Sequence, residues 1–270
     1  MHRVSHRLTR RVGIHFSYQV PIWFIVEYPK SGGTWFAKMV ADYLEYPFCE
    51  FSYFPLGLRC VTFAHWKPHP KLRRCFYVYR DGRDVLVSLY YHRIRLMNNQ
   101  FQSPAARKTR QRYRNIIDHH ANEDQLKQNF TRFVEHEMNS SGRSNSGWSG
   151  HINQWKKVES QDVVFVKYED LHSNPIEALG NALDAHLGDE LDADRLSCVV
   201  QKFAFQAQTG RHRGNEDAGS FLRKGIVGDW KNYFTKEAAE LFDKHHGETL
   251  INLGYEPDRS WLSTTEFVQW

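Results

Sequence analysis

The sequence predicts an α/β fold in three layers, with a doubly wound, mainly parallel sheet and a P-loop-like phosphate-binding loop. Short runs of β-branched and aromatic residues alternate with longer segments of helical periodicity along the chain. The strand-like runs end in glycine-bearing or charged turns that lead into helices, which is the order of a parallel βαβ sheet. No internal repeat breaks this order, so residues 1–270 are expected to form a single domain.

The first strand–turn–helix unit is Ile22–Trp35, IWFIVEYPKSGGTW. Residues 22–27 are predicted to form a buried strand, and residues 34–46 a helix that begins at Thr34. A glycine turn at a helix N-terminus offers backbone N–H groups and the positive end of the helix dipole to an anion. The segment therefore predicts an anion-binding loop.

Spacing separates this loop from a Walker A sequence. With Thr34 at the last Walker A position, Glu27 replaces the first glycine, Gly32 matches the second, and Gly33 replaces the lysine. The lysine stands earlier, at Lys30. A phosphate loop with a displaced cation argues against an ordinary ATP or GTP hydrolase.

Two further predicted strands end in chemically useful side chains. Residues 61–65 end in His65, and residues 75–79 run into Arg80 and a helical pattern. Ligands of open parallel sheets bind outside the carboxyl ends of the strands. Lys30, His65 and Arg80 are therefore expected to converge on one crevice.

The rest of the chain continues the alternation. Residues 100–146 are predicted to be a polar insertion, with helices at 105–120 and 123–138 and a Ser/Gly/Asn-rich loop, SSGRSNSG, that is a candidate lid. A fourth strand is predicted at 162–170. Further helices are predicted at 147–158, from Pro175, at 192–203 and at 235–247.

The charge is unevenly distributed. The net charge is +5, but residues 1–20 carry +4 and residues 71–114 carry +10, so the remainder is acidic. This pattern suits a polyanionic ligand bound in one region. The first twenty residues are expected to be a basic, solvated arm. The run RKTRQRYR at 107–114 is interpreted as a solvated helix face in preference to a glycan, membrane or nucleic-acid site.

Several function classes are disfavoured. Four cysteines form no C-x-x-C pair, which favours reduced thiols and a cytoplasmic location. No run approaches the roughly 18 apolar residues of a membrane span, although contact with a membrane surface stays open. The fifteen histidines form no zinc motif, so no metal site is expected. Nucleic acid is not an expected partner.

Three segments together resemble one family. YPKSGGTW resembles the 5′-phosphosulfate loop of sulfotransferases that use 3′-phosphoadenosine 5′-phosphosulfate (PAPS), and YRDGRDVLVSLYYH resembles their 3′-phosphate segment. RKGIVGDWKNYFT resembles their C-terminal motif, and all three occur in the family's order. The resemblance implies transfer of a sulfuryl group to a hydroxyl or amine without a required metal, leaving 3′-phosphoadenosine 5′-phosphate (PAP).

The resemblance implies a role for each loop residue. Lys30 would stabilise charge on the bridging oxygen of the departing phosphate. Ser31, Gly32, Gly33 and Thr34 would hold the 5′-phosphate. Gly33 stands where the family commonly has threonine, so a backbone N–H must serve there.

Other cofactor residues also follow from the resemblance. Arg80 and Ser88 are expected to bind the 3′-phosphate. Trp35 and Phe205 resemble the pair that stacks on adenine, and Tyr168 the residue at the adenine edge. The expected clamp over the 3′-phosphate is Arg223, Lys224 and Gly225.

The general base is expected to be His65, since histidine titrates near neutral pH. Phe63 replaces the family's lysine two residues earlier, and Lys67 is a candidate substitute. A carboxylate base stays open, with Glu27, Glu45 and Glu50 as the candidates.

The acceptor, the choice between O- and N-sulfation and the oligomeric state stay open. Residues 47–70 and 95–146 are expected to face a small-molecule or glycan acceptor. This chain has Lys236 where the family's dimer motif has an apolar residue, which predicts a monomer or weak homodimer. The alternatives are a P-loop-type kinase and an inactive nucleotide-binding scaffold.

Overall fold

The computed structural model describes residues 2–16, 19–50, 59–98, 103–118, 122–141, 147–158, 160, 162–188 and 191–269. The chain forms two compact units. The first unit contains residues 1–80 and 151–212, and the second contains residues 81–150 and 213–270.

Within the described residues, the strands are β1 (Ile22–Glu27), β2 (Phe48–Glu50), β3 (Cys60–Ala64), β4 (Cys75–Tyr79) and β5 (Val163–Lys167). The helices are α1 (His2–His15), α2 (Gly33–Leu44), α3 (Gly82–Asn98), α4 (Pro104–Tyr113), α5 (Glu123–Ser141), α6 (Trp148–Lys156), α7 (Tyr168–Ser173), α8 (Pro175–Leu187), α9 (Ala193–Lys202), α10 (Phe205–Thr209), α11 (Lys236–Asn252) and α12 (Trp261–Thr264), with a 3-10 helix at Asp229–Asn232.

The first unit is built on a parallel sheet in the order β2-β3-β1-β4-β5. Strand β1 is central and fully buried, and its Phe24 lies opposite Thr62 on β3 and Cys75 on β4. Continuous apolar runs suit a parallel sheet that is covered on both faces. The predicted α/β class is therefore confirmed. All five described strands end at the same edge of the sheet.

Helices α2, α8 and α9 bury one apolar cluster against this sheet. Phe36 and Val40 of α2 and Leu183 of α8 are buried with Phe76 of β4 in this cluster. Apolar burial of this kind is the main stabilising contribution. It fixes α2, and hence the loop before α2, relative to β1.

The N-terminal segment is not a solvated arm but helix α1. Thr9 is buried, and Gly13 packs so closely on the ring of Phe24 that a Cβ at position 13 would overlap the ring. Arg10 donates from Nη2 to the carbonyl of Lys67 at 2.9 Å. The basic composition did not indicate this packing, because the small residues Thr9 and Gly13 that are packed here lie close to the arginines in sequence.

The second unit is helical. Helix α3 packs on α4 and α5, and α5 packs on α11. Phe130 of α5 contacts the rings of Tyr90 and Phe234. The expected helices at 105–120 and 123–138 correspond to α4 and α5. Most of the SSGRSNSG loop lies outside the described residues.

The N-terminus of α3 carries a buried charge cluster. Arg83 pairs with Asp81 at 2.7 Å and with Glu256 at 2.5 Å, and its guanidinium lies 3.9 Å from the centre of the Trp230 ring. Asp84 accepts hydrogen bonds from the N–H groups of Gly228 and Trp230. The polar residues of YRDGRD thus also serve to hold the GDW segment within this unit.

No described helix is both long enough and apolar enough to cross a membrane.

Candidate active site

The turn after β1 holds Lys30 in an uncommon conformation. Pro29 precedes it, and the N–H of Ser31 donates to the carbonyl of Tyr28 at 3.2 Å. Lys30 has φ 78°, the value expected at the third position of a type II turn, where glycine is usual. A lysine in the left-handed region costs about 1 kcal/mol. Such strain at a loop cation indicates a functional role.

The loop then passes directly into α2. Gly32 has φ 99° and is the N-cap, and its carbonyl accepts from the N–H of Phe36 at 3.2 Å. Ser31 is buried, and its hydroxyl donates to the Tyr28 carbonyl at 2.9 Å. The Ser31 side chain therefore shapes the turn, and the Thr34 side chain is half-buried in the first turn of α2.

A carboxylate lies inside this loop. Glu27 is buried and accepts from the N–H of Gly33 at 2.5 Å and from that of Lys30 at 3.2 Å. Burial raises the pKa of the Glu27 carboxyl to about 7, although the Gly33 N–H and the charge of Lys30 act in the opposite direction. The Gly33 N–H, which is one of the groups expected to bind the 5′-phosphate, is thus directed at Glu27.

The predicted base lies beside the loop. His65 is exposed at the end of β3, and its Nδ1 lies 3.2 Å from the backbone carbonyl oxygen of Glu27. This contact favours the tautomer with hydrogen on Nδ1, which leaves the basic lone pair on Nε2. Since β3 and β1 are adjacent, His65 and Lys30 follow neighbouring strands at the carboxyl edge.

Two more predicted residues follow strands at the same edge. Arg80 follows β4 and Tyr168 follows β5, and the Arg80 guanidinium lies 4.3 Å from the centre of the Tyr168 ring. The Tyr168 ring also contacts Trp35 edge-on, with centroids 6.0 Å apart. Gly32 packs on the Tyr168 ring, so a Cβ at position 32 would lie 2.9 Å from Cε2.

Trp35 and Phe205, the predicted adenine-stacking pair, are connected through the backbone just before α10. Trp35 donates from Nε1 to the carbonyl of Phe203 at 2.8 Å. Phe205 begins α10 two residues later, is buried, and carries the Arg211 guanidinium 5.3 Å from its ring centre. The structure thus ties Trp35 to the segment that contains Phe205.

The remaining predicted cofactor residues belong to the second unit. Ser88 is half-buried on α3, and Gly225 has φ 65°. Arg223 pairs with Glu216 and Asp229, and Lys224 donates to Asp229 at 2.8 Å. Burial alone would lower the pKa of Arg223, but Asp229 and Glu216 raise it above the usual value. The predicted clamp is therefore a cluster in which two carboxylates balance two cations.

A half-buried histidine near His65 was not among the predicted site residues. His151 lies in the GWSGHINQW segment and shares a 2.7 Å hydrogen bond with the Tyr77 hydroxyl. Burial, with a smaller contribution from the positive charge of His65, lowers the pKa of His151 to about 4. His151 is thus neutral near pH 7. The motif was visible in the sequence, but nothing local showed which strand it would face.

Two of the three alternative carboxylate bases lie away from the loop. Glu45 caps the far end of α2, about 18 Å along the helix, where it is exposed and pairs with Arg195 at 2.9 Å. Glu50 is exposed at the end of edge strand β2. Only Glu27 of the three lies in the loop itself.

Among the described residues, no group of three or more His, Cys, Asp or Glu side chains could hold a metal ion.

Comparison with known proteins decides the family. A family model described as "Sulfotransferase domain" matches residues 58–254. The chain belongs to the sulfotransferase domain family. It is an enzyme that transfers a sulfuryl group from PAPS to an acceptor. Within that family, mouse sulfotransferase 2B1 is 28% identical over 271 residues, which cover 84% of this chain and 70% of the mouse protein.

Further proteins are similar to this chain in sequence or in fold. Dog sulfotransferase 1B1 is 27% identical over 266 residues, covering 81% of this chain and 80% of the dog protein. The crystal structure of mouse sulfotransferase SULT7A1 complexed with PAP has a TM-score of 0.63 at 19% identity, covering 93% of this chain and 91% of that one. Retinol dehydratase in complex with androsterone and PAP has a TM-score of 0.59 at 17% identity, covering 90% and 85%. At these identities the structures show a shared fold.

Replacing Gly32 by alanine is expected to destabilise the loop by about 2 kcal/mol, because the φ of 99° is unfavourable for alanine and the new Cβ would press on Tyr168. Chemical denaturation measures this change. Gly188→Ala is the matched control, since Gly188 also has positive φ but a Cβ at that position would meet no atom within 4 Å. Equal losses for both variants would show that Tyr168 does not press on the loop.

Proposed function

We propose that this sulfotransferase holds the 5′-phosphosulfate of PAPS at the loop Lys30–Trp35, with Lys30 on the bridging oxygen and His65 as the base. The acceptor O–H or N–H proton passes to His65 Nε2 while the acceptor atom attacks sulfur in line. The bond from sulfur to the bridging oxygen then breaks, and PAP leaves. The observation that carries this proposal is the placement of Lys30 and His65 after adjacent strands at one sheet edge.

The chemistry suits these two groups. Charge develops on the phosphate oxygen as the sulfuryl group departs, and a cation already fixed beside that oxygen stabilises the transition state more than the ground state. The tight turn holds the Lys30 backbone in place. The backbone contact of His65 Nδ1 orients its ring and leaves Nε2 as the accepting atom.

We propose cofactor contacts for the remaining predicted residues of each unit. Tyr168, stacked under Arg80 and in contact with Trp35, provides an aromatic surface suited to adenine. Arg80 of the first unit is assigned to the 3′-phosphate. In the second unit, the candidates for phosphate contacts are Ser88, Arg223, Lys224 and Gly225. The carboxylates of Glu216 and Asp229 hold Arg223 and Lys224 in position, so these cations are ordered before a ligand binds.

We propose a small molecule with a hydroxyl group as the acceptor in preference to an acidic glycan. Retinol and androsterone, named in the structures of retinol dehydratase, are small apolar molecules with a hydroxyl group. Several cations of the basic residues 71–114 form ion pairs within their own units. Arg73 pairs with Asp162, Arg83 with Asp81 and Glu256, and Arg112 with Glu137.

The basic run 107–114 supports the same preference. Thr109 and Tyr113 are buried, whereas Arg107, Lys108 and Arg114 are exposed along α4. This is the pattern of a solvated helix face.

We propose a monomer in a reducing compartment. Thr235 caps α11 by accepting from the N–H of Ala238, and Lys236 follows it as an exposed charge. A charged side chain at this point disfavours a small apolar dimer contact. All four cysteines are unpaired thiols, as a cytoplasmic location would require.

The cofactor assignment is tested by comparing PAP with ATP in a thermal-shift titration of the full chain. PAP is expected to raise the melting temperature at concentrations where ATP has little effect, because PAP carries a 3′-phosphate. Stronger stabilisation by ATP would favour the kinase alternative. Binding of PAP without transfer from labelled PAPS to a panel of retinol, androsterone, phenols and sugars would favour the inactive scaffold.

A further inference from the structure

Two departures from the family's motifs and one from the Walker A pattern meet at one point of the first unit. Glu27 stands at the first Walker A glycine position, Gly33 replaces a threonine, and Phe63 replaces a lysine. A Cβ on Gly33 would lie 2.8 Å from Cε2 of Phe63 and 3.0 Å from Oε2 of Glu27. Glycine is therefore required at position 33 by the other two residues, so the three replacements form one packed arrangement.

This arrangement gives the loop an anion of its own. The Glu27 carboxyl is covered by the loop and takes hydrogen bonds from the N–H groups of Gly33 and Lys30. Each N–H has one hydrogen and cannot make a full hydrogen bond to a phosphate oxygen at the same time. A carboxylate and a phosphate close together also repel each other, and strongly so away from water. The 5′-phosphate and an ionised Glu27 therefore compete.

We propose that Glu27 is a built-in competitor of the cofactor, and that PAPS and PAP bind with uptake of one proton by the Glu27 carboxyl. The neutral carboxyl loses its repulsion for the phosphate and releases the N–H groups to it. Glu27 thus sets cofactor affinity without touching the sulfuryl group. This inference rests on the proposed cofactor site.

The groups around Glu27 determine whether its carboxyl takes up a proton. Lys30 carries the positive charge that acts on it, and the N–H groups of Lys30, Ser31 and Gly33 face it from the loop. From β3, Phe63 closes the loop and the His65 ring contacts the Glu27 backbone. From β4, the buried Tyr77 hydroxyl interacts electrostatically with Glu27. Complete burial outweighs the charge of Lys30 and leaves the carboxyl able to take up a proton near neutral pH.

The test is calorimetric titration of the full-length chain with PAP at pH 6.5, 7.5 and 8.5. Since the pKa of Glu27 is raised to about 7, the wild-type affinity is expected to fall about 25-fold from pH 6.5 to 8.5. Glu27→Gln keeps the size and an acceptor oxygen but cannot ionise. It is expected to bind PAP with little pH dependence and about 30-fold more tightly than wild type at pH 8.5.

Glu45→Gln is the matched control, because Glu45 is an exposed carboxylate at the other end of α2 and should leave the wild-type pH dependence unchanged. The phosphates of PAP titrate near pH 6 and contribute equally in all variants. Equal pH dependence in wild type and Glu27→Gln, or weaker binding by Glu27→Gln at every pH, would overturn the inference.

A melting curve without ligand gives an independent reading. Because folding raises the pKa of Glu27, the folded state binds more protons and loses stability as pH rises from about 4.5 to 7. Glu27→Gln should therefore melt above wild type at pH 8 and close to it at pH 4.5. If Glu27→Gln does not fold, Glu27→Thr serves, since threonine suits a strand end.

The two proposals fail in different ways. Tight PAP binding with no proton uptake would overturn the Glu27 inference alone. No PAP binding by wild type, Glu27→Gln or Glu45→Gln at any pH would overturn the cofactor site and this inference with it.

Discussion

Replacing Lys30 by asparagine is expected to lower kcat about 10³-fold, which corresponds to about 4 kcal/mol of lost transition-state stabilisation. Lys30 is proposed to act on charge that appears only as the sulfuryl group leaves, so the loss should fall mainly on kcat and less on PAP affinity. Asparagine is chosen because it tolerates the φ of 78° better than alanine does. Transfer from labelled PAPS to the best acceptor of the panel measures the change.

Two comparisons distinguish the effect of losing the Lys30 charge from an effect on folding. Lys38→Gln removes an exposed lysine from α2 and should leave kcat unchanged. The melting temperature of Lys30→Asn should stay close to that of wild type, since the turn is retained. A Lys30→Asn enzyme with wild-type kcat would remove Lys30 from the mechanism, whatever its effect on PAP binding.

The strands of the first unit were predictable from local sequence. Residues 22–27 and 75–79 were predicted as strands with the bounds that β1 and β4 have, and 61–65 differs from β3 by one residue at each end. Buried parallel strands form continuous apolar runs bounded by turns, so the pattern is strong at short range. The helices were harder to bound. Residues 162–170 contain β5 followed by α7, where a charged turn was expected.

The candidate site was predictable as a set of residues but not as a set of contacts. Lys30, His65 and Arg80 follow strands at one sheet edge as predicted. Their exact partners depend on residues far apart in sequence. The contact of Phe63 with Gly33 spans thirty positions, and that of Tyr168 with Gly32 spans more than one hundred. No local pattern encodes either contact.

Charge was the least reliable guide. The twelve cations of residues 71–114 suggested one strongly positive region. The carboxylates that pair with Arg83 and Arg112 include Glu256 and Glu137, which lie outside that segment. A charge count along the sequence cannot include partners that only folding brings near.

The geometry also bears on the inactive-scaffold alternative. A protein that only bound nucleotide would gain nothing from a lysine in the left-handed region of a turn, where glycine is less strained. Nor would it need the His65 ring oriented with Nδ1 on a backbone carbonyl. Both features fit the roles proposed for Lys30 and His65, which need a fixed cation and a lone pair on Nε2. They therefore favour retained catalysis.

Replacing His65 by asparagine is expected to slow transfer about 10³-fold while PAP affinity changes less than about twofold, because the base acts on the acceptor and not on the cofactor. Asparagine can still donate to the Glu27 carbonyl, so the local backbone contact is kept while the basic nitrogen is lost. Single-turnover transfer and calorimetric titration with PAP measure the two effects separately.

His69→Asn is the matched control, since His69 lies four residues away and its Nδ1 accepts from the N–H of Lys71. A His65→Asn enzyme at the wild-type rate would exclude His65 as the base. Loss of rate and PAP affinity together would instead assign His65 to the cofactor site. If His65 is excluded, Glu27 is the next candidate base, because its carboxyl lies in the loop. The kcat of the Glu27→Gln variant then shows whether Glu27 acts as the base.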